Sequence, residues 1–443
     1  MSEPTFLPAT LARLAELNTF VADRALRRFQ YDVATTGTFT VTSPFTGAPV
    51  RPLANLVRSG HRIRTGEGLL YWFDDVEPFV LVSSSLRAGN PLLALVTRRG
   101  RTAVSHEEPN KLVDLGHEML RDGAEPPRRI DRSRRPLVVA GHINFAHLVW
   151  NEFPALHTLR HLAGGFEVSI PFDPLGLSES FCVEHDVPYE LMARQGHDVW
   201  EPRPAVNPGA VLCGVEAMRD ARRHISRTPV PQLPAHTPRF YVSVRERGRT
   251  MVNQTEFLIA LTRGMLRAYP GAMVVLDGFS LPVDFTREAY DDYRHRFDER
   301  EAGARRIVGA VRAALPAALA ARVLDITGLP LTAALQVIST CHYYVTHSGT
   351  MQHKAGWFFP LPGTMHGNLS SSTPAALRWH AAPVDEAAVP RGLPAELLQD
   401  LDVTDMPNIV DRNRDYRLMD VNAAVDAVLA DVHEAFGTTS RPT

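Results

Sequence analysis

The chain has 443 residues, 44% of them hydrophobic and 22% charged, with a net charge of −2 and a pI near 6.8. That length exceeds what one hydrophobic core supports, so two or three domains are expected, and the apolar content is that of a folded globular protein. The near-neutral balance gives no field to draw in nucleic acid or an anionic membrane, and no run approaches the roughly 20 apolar residues of a membrane span.

The opening MSEPTFLPATLARLAEL lacks the basic start and long apolar run of a signal peptide. Cys182, Cys213 and Cys341 are widely spaced, form no CxxC pair and read as reduced, buried thiols, so a cytoplasmic protein is expected. Of the 47 basic residues only Lys111 and Lys354 are lysines. A GC-rich genome accounts for the bias. A lysine that persists in such a chain marks a place where a compact ammonium suits better than a planar guanidinium.

Leu11, Leu14, Leu17, Phe20, Val21 and Leu26 recur at helical spacing and predict one amphipathic helix over 8–30. From 37 to 106, the runs TFTVTS, GLLYWF, PFVLVSS and LLALVTRR, broken by Gly, Pro and Asn, predict a small β-rich module. A basic, proline-containing linker (126–136) follows. Then come a strand at 137–141, a helix at 145–163, a strand at 167–172, a helix at 178–196 and a strand at 210–215. A second proline-rich stretch, 228–238, precedes a strand at 239–244, a helix at 253–268 and a strand at 272–278. Asn253 and Glu256 have capping-box spacing at the start of that helix. A charged segment (285–302), a helix at 301–320, a strand at 322–328, a helix at 331–340 and a strand and turn at 342–350 complete the series. The tail after 371 predicts polar turns and one helix, 420–436.

The fold class expected is therefore α/β: two Rossmann-like domains facing a cleft, after an N-terminal helix and a small β-rich module. The expected boundaries are 1–125 for the helix and module, 126–236 and 237–370 for the two Rossmann-like domains, and 371–443 for a C-terminal extension.

Three segments carry chemistry. GHINFAHLVWNEFPAL (141–156) places His142 and Asn144 on a strand-to-helix loop, and His147, Asn151 and Glu152 in the first helical turns. Imidazoles, an amide and a carboxylate at the carboxyl edge of a sheet suit acid–base work. The alternative is that Asn144 caps the helix, His147 packs inward and Glu152 is solvated. In SVRERGRT (243–250), Arg245 and Arg247 follow a strand directly, and either neutralise a diphosphate or form a solvated basic loop. YVTHSGTMQHKAGWF (344–358) delivers His347, Ser348, Gly349 and Thr350 into a small turn at a helix start, with His353 and Lys354 in the first turn, placed to reach back to an anion. It has neither the GxxxxGK[ST] nor the GxGxxG spacing. A further loop, LPGTMHGN (361–368), holds Gly363, His366 and Asn368. The histidines show no HxxxH or HExxH pattern, and Asp74–Asp75, Asp291–Asp292 and the pair Asp400 and Asp402 read as solvated acids.

NFAHLVWNEFPAL (144–156) resembles the N-F/Y-x-H-W … P-R-L segment of the family 61 glycosyltransferases and related two-domain (GT-B) bacterial transferases, and CHYYVTHSGTMQHKAGWFFPLPG (341–363) looks like their later strand, His/Gly-rich turn and helix. The resemblance covers about 130–370. It implies a GT-B arrangement and an inverting transfer of a sugar from a nucleotide-diphosphate donor to a glycan or other hydroxyl acceptor. It also implies that no bound metal and no further cofactor are required. On this reading His147 is the general base, with Glu152 as its orienter or the second candidate and with His142 and Asn144 beside it. Arg245, Arg247, His347, Ser348, Gly349, Thr350, His353 and Lys354 serve the diphosphate. The rivals are a sugar-nucleotide epimerase or hydrolase on the same scaffold, and a non-catalytic nucleotide- or glycan-binding protein. A homo-oligomer is left open.

Overall fold

The computed structural model describes residues 8–21, 26–58, 68–84, 92–103, 110–121, 127–161, 165–192, 199–209, 214–381, 388–401 and 414–437. The chain divides into two compact units, Met1–Ala217 with Asp284–Asp292, and Met218–Val283 with Tyr293–Thr443.

In the first unit the helix expected over 8–30 is two helices, Pro8–Leu17 and Arg28–Thr36. The break falls at Asn18. Its amide group clasps the backbone of Leu92 through both donor and acceptor (3.3 and 3.1 Å), and its carbonyl accepts from Arg27 Nη1 at 2.7 Å. Three of the β-type runs lie in an antiparallel sheet of Ala54–Arg58, Gly68–Phe73, Phe79–Ser84, Leu92–Thr97 and Gly100–Ala103, extended at one edge by Val199–Glu201, while the first, TFTVTS, pairs separately as Val41–Thr42 with Pro49–Val50. Leu56, Leu70, Val80, Val82 and Val96 bury one face against Leu112, Val113 and Met119 of the helix Asn110–Met119. This is the period-two pattern of a sheet covered on one side.

The same unit holds a four-stranded parallel sheet. Leu137–Val139, Glu167–Ile170, Tyr189–Leu191 and Ala205–Val206 lie in the spatial order 3-2-1-4 when numbered along the chain. The helix expected to reach 196 stops at Glu184, because Pro188 biases the residue before it away from helix, and the chain re-enters the sheet at Tyr189. Of the strand expected at 210–215, residues 210–213, including Cys213, lie outside the described residues. Val215 opens the helix Val215–Ser226, and the fourth strand is Ala205–Val206. The segment Asp284–Asp292 covers the carboxyl ends of two of these strands: Arg287 Nη2 donates to Ile170 O (2.9 Å) and Met192 O (3.1 Å).

The second unit is a six-stranded parallel sheet. Arg239–Ser243, Met273–Asp277, Val323–Asp325, Tyr343–His347, Gly363–His366 and Arg391–Gly392 run in the order 3-2-1-4-5-6, the doubly wound Rossmann order. Its strands are near-continuous apolar runs because helices cover both faces, and all five residues of Met273–Asp277 are buried. Three expectations change here. The charged stretch is already helical from Arg294, giving Arg294–Ala313. The expected loop 361–368 contains the fifth strand. The region after 371 supplies the sixth strand and the helix Val421–Gly437, whose Val425, Val428 and Val432 share one core with Phe257, Leu261 and Met265. The expected capping box is not formed. Asn253 instead brackets the backbone of Leu418, donating to its carbonyl and accepting from its N–H, both at 3.0 Å.

In both sheets the first and fourth strands are neighbours whose following loops diverge, and this opens a crevice at their carboxyl ends. That switch point lies after Val139 and Val206 in the first unit, and after Ser243 and His347 in the second. Among the described residues no helix is long and apolar enough to cross a membrane.

Candidate functional site

At the switch point of the second unit the loop after Ser243 meets the turn after His347. Gln254 grips the loop by accepting from Arg245 N–H and donating to Arg245 O, both at 2.7 Å. Arg245 Nη1 then donates to Ser348 O at 3.1 Å. The loop turns at Gly248 and Arg249, and Arg249 has a left-handed backbone (φ 55°) that is uncommon for a side-chain-bearing residue. The conformation is held by Thr250 N–H donating to Asp415 Oδ1 (2.6 Å) and by backbone pairing of Thr250 and Val252 with Tyr416. Its result is to lay the Arg249 guanidinium on the turn: a Cβ at Gly349 would stand 3.1 Å from Nη1, and φ there is 88°. Gly349 is therefore required both by its backbone and by the cation covering it.

Two imidazoles lie beneath. His347 and His366, ends of paired strands, are both 1% exposed with ring centroids 4.4 Å apart. Burial first, and then His366, Arg245 and Arg249, hold the His347 pKa well below its ordinary value. Burial and Arg245 bring His366 down to about 3. Both rings are thus neutral. Ser243 Oγ accepts from His347 N–H and lies 2.9 Å from His347 Nδ1. Burial raises the Tyr416 pKa and keeps its phenol protonated, 2.7 Å from His366 Nδ1. Neither ring's Nε2 has a hydrogen-bond partner among the described residues. Two neutral buried imidazoles sit beside two guanidinium groups. That is the electrostatics of an oxyanion site.

The other expected anion ligands are placed elsewhere. Arg247 is 65% exposed, and a carboxylate oxygen of its neighbour Glu246 lies 3.9 Å away. Ser348 is buried, with its amide donating to His366 O at 2.8 Å, so it has no amide to offer a ligand. Thr350 opens the short helix Thr350–Gly356. His353 stacks on Trp357 at 3.5 Å and meets His380 Nδ1 through Nε2 at 3.2 Å. Lys354 does not reach back to the turn. Its ammonium is buried 2.7 Å from Asp277 Oδ2 and 2.8 Å from Ser280 Oγ, and Tyr241 OH donates to the same carboxylate at 3.0 Å. A fully buried carboxylate at a strand end needs a compact cation, and this is what retains the lysine. Lys354→Met should cost about 3–5 kcal/mol in chemical denaturation, and adding Asp277→Asn should recover most of it. A single variant as stable as the parent would disprove the pairing. Asn368 serves structure too: Oδ1 accepts from Ser371 N–H and Nδ2 donates to Arg414 O.

In the first unit the helix after Leu137–Val139 is interrupted. Phe145–His147 is α-helical, Leu148–Glu152 forms a π turn, and Phe153–Leu159 resumes the α form. Pro154 has no N–H to offer the carbonyl four residues back, and Phe153 N–H bonds Leu148 O one residue further than usual. The widened turn buries Asn151 and Glu152. Glu152 Oε2 accepts from Gly141 N–H at 2.6 Å, so Glu152 shapes the loop and is buried rather than solvated. Gly141 cannot be replaced, since its φ is 147° and a Cβ would lie 2.3 Å from Phe172 O. Asn151 orients His147, with Oδ1 at 3.0 Å from Nδ1. The Nδ1 proton then points to the amide oxygen, and Nε2 is the basic nitrogen. Asn144 caps the helix through Ala146 N–H (3.0 Å) and donates its own N–H to His142 Nδ1 at 2.8 Å. His142 is buried 4.9 Å from the His147 ring, and burial, then His147, holds its pKa well below the ordinary value.

Neutral buried imidazoles have a stability signature. Burial also lowers His380, to about 4. The folded chain leaves these rings unprotonated, whereas the unfolded chain protonates them below about 6.5. Stability therefore falls as pH drops through that value and continues to fall toward the folded pKa values. Between pH 6.5 and 5 each of His366 and His380 should remove about 2 kcal/mol. Urea midpoints measured at pH 7.5 and 5 check this; an unchanged midpoint would show the rings protonating in the fold.

Among the described residues no three His, Cys, Asp or Glu side chains gather where they could hold a metal ion, and Cys182 and Cys341 are buried free thiols. No family model and no curated protein sequence matches the chain, so the family 61 likeness remains a resemblance of two segments. Solved structures do match. E. coli ADP-heptose LPS heptosyltransferase II is 12% identical at a TM-score of 0.37, over 69% of this chain and 100% of its own. The E. coli heptosyltransferase WaaC with ADP is 12% identical at 0.27, over 54% and 71%. S. aureus MnaA with UDP is 11% identical at 0.24, over 52% of this chain and only 56% of its own.

Proposed function

We propose that the chain is a glycosyltransferase whose second unit holds a nucleoside-diphosphate sugar and whose first unit supplies the base that activates a hydroxyl acceptor. One observation carries the donor assignment. At the switch point of the 3-2-1-4-5-6 sheet, Arg245 and Arg249 accompany the buried rings of His347 and His366, whose Nε2 atoms have no hydrogen-bond partner among the described residues. Preorganised donors and cations of this kind stabilise the charge that builds on a departing diphosphate, and they act more strongly in a dry site than in water. His147 Nε2 takes the acceptor proton, the acceptor oxygen attacks the anomeric carbon, and the bond to the diphosphate oxygen breaks, with inversion. The sugar as the transferred group rests on the resemblance of 144–156 and 341–363.

Thermal melts with UDP, GDP, CDP and dTDP, each with magnesium or with EDTA, test the donor site. The matching nucleotide should stabilise the chain by about 2.7 kcal/mol at a hundredfold excess over Kd. The proposal is of metal-independent binding, so stabilisation that needs a divalent cation counts against it. Silence from all four removes the donor assignment. Turnover of the donor sugar without acceptor would favour the epimerase or hydrolase reading.

A further inference from the structure

We propose that the first unit carries a second, separate anion site, which takes a phosphate monoester of a small ring compound. A cavity of about 440 Å³ opens at the amino-terminal edge of the parallel sheet, among the residues that lead into three successive strands. Arg135 precedes the first of these, Phe166 the second and Pro188 the third. Arg160 and His161 follow the helix Phe153–Leu159, and His185 follows Leu177–Glu184. The edge is opposite the one that carries His142 and Glu152, so the ligand is not the acceptor of the proposed transfer.

Arg160 organises the wall. Its Nη1 lies 2.9 Å from His185 Nε2 and its Nε donates to His161 Nε2 at 3.1 Å, while Nη2 pairs with Glu216. Arginine cannot accept a hydrogen bond, so both imidazoles accept through Nε2 and carry their proton on Nδ1, as donors. Arg135 is exposed and has no ion pair among the described residues. Asp186 also lines the cavity, which leaves two guanidinium groups against one carboxylate. Glu216 pairs with Arg160 from outside the cavity lining, so Arg135 is the guanidinium left for a ligand. The adjoining helix ends present carbonyls, so capture of an anion falls to these side chains alone. Buried Phe166 and the ring of Pro188 supply an apolar surface beside the charges. A cavity of this size with a few convergent polar groups suits a small molecule. Its composition selects one that is anionic at one end and apolar at the other.

Isothermal titration of the full chain with phenyl phosphate, inorganic phosphate and phenol tests the site. Phenyl phosphate should bind, inorganic phosphate about tenfold more weakly for want of the ring, and phenol not measurably. Arg135→Gln and His161→Ala, both at exposed positions, should each weaken phenyl phosphate by about tenfold with an unchanged melting temperature. Arg249→Gln, in the other unit, should leave it unaltered. The inference is overturned if phenyl phosphate gives no binding, if phenol binds equally well, or if Arg249→Gln removes binding while the other two variants do not.

Discussion

Arg249→Gln should weaken nucleoside-diphosphate binding by roughly tenfold to a hundredfold, whereas Arg247→Gln, two residues away in the same loop, should leave it within about twofold. The first figure is a charge-assisted hydrogen bond to a phosphate, about 1.5–3 kcal/mol. The second follows from a side chain 65% exposed beside Glu246. Glutamine keeps a donor on a shorter side chain and removes the charge, and it meets the same left-handed backbone as the arginine it replaces, so no new strain complicates the comparison. The fold accepts an unfavourable φ of 55° at this position, and a cost of order 1–3 kcal/mol persists where the surroundings over-determine it. Those surroundings are the bond to Asp415 and the pairing with Tyr416, which hold the guanidinium on Gly349. Equal losses from both variants, or none from either, would remove Arg249 from the donor site.

The contrast shows where sequence reasoning reaches and where it stops. The alternation of apolar runs with helical spacing, and the prolines at 228–238, were enough to read two βα series, because strands buried on both faces leave an uninterrupted apolar signature. The spatial order of those strands is not written in any local pattern, yet it is the order that makes the ends of Arg239–Ser243 and Tyr343–His347 a crevice. Arg245, Arg247 and Arg249 are equivalent as letters. Only the turn at Gly248 and Arg249 decides that one faces solvent and another lies on the glycine turn. Lys354 stood out as one of two lysines, and its expected reach to the diphosphate turn is replaced by a buried ion pair. Its partner, Asp277, is 77 residues away at the end of another strand, and no spacing rule connects them. His366 lay in a segment expected to be a loop, because Gly363 and the preceding prolines mask a four-residue strand. Pro154 was visible throughout. Its effect, a π turn that buries Asn151 and Glu152 and divides their roles, depends on which carbonyl is left without a donor.

That division of roles sets the largest expected effect. His147→Ala should lower kcat by a factor of 10² to 10⁴, the range of a positioned general base, with the Kd for the nucleoside diphosphate unchanged because the donor contacts lie in the second unit. Asn151→Leu removes the acceptor at 3.0 Å from Nδ1 and leaves the ring free to carry its proton on either nitrogen, so kcat should fall about tenfold or more without loss of binding. Acting on one unit, the two substitutions should be non-additive: His147→Ala with Asn151→Leu should be little worse than His147→Ala alone. Glu152→Gln supplies the contrast. It weakens the bond to Gly141 N–H and leaves Asn151 at His147 Nδ1, so it should reduce stability by about 1 kcal/mol with a smaller change in kcat. If Glu152→Gln instead abolishes turnover while Asn151→Leu is silent, the base is oriented by the carboxylate after all, and the amide at 151 only fills the π turn.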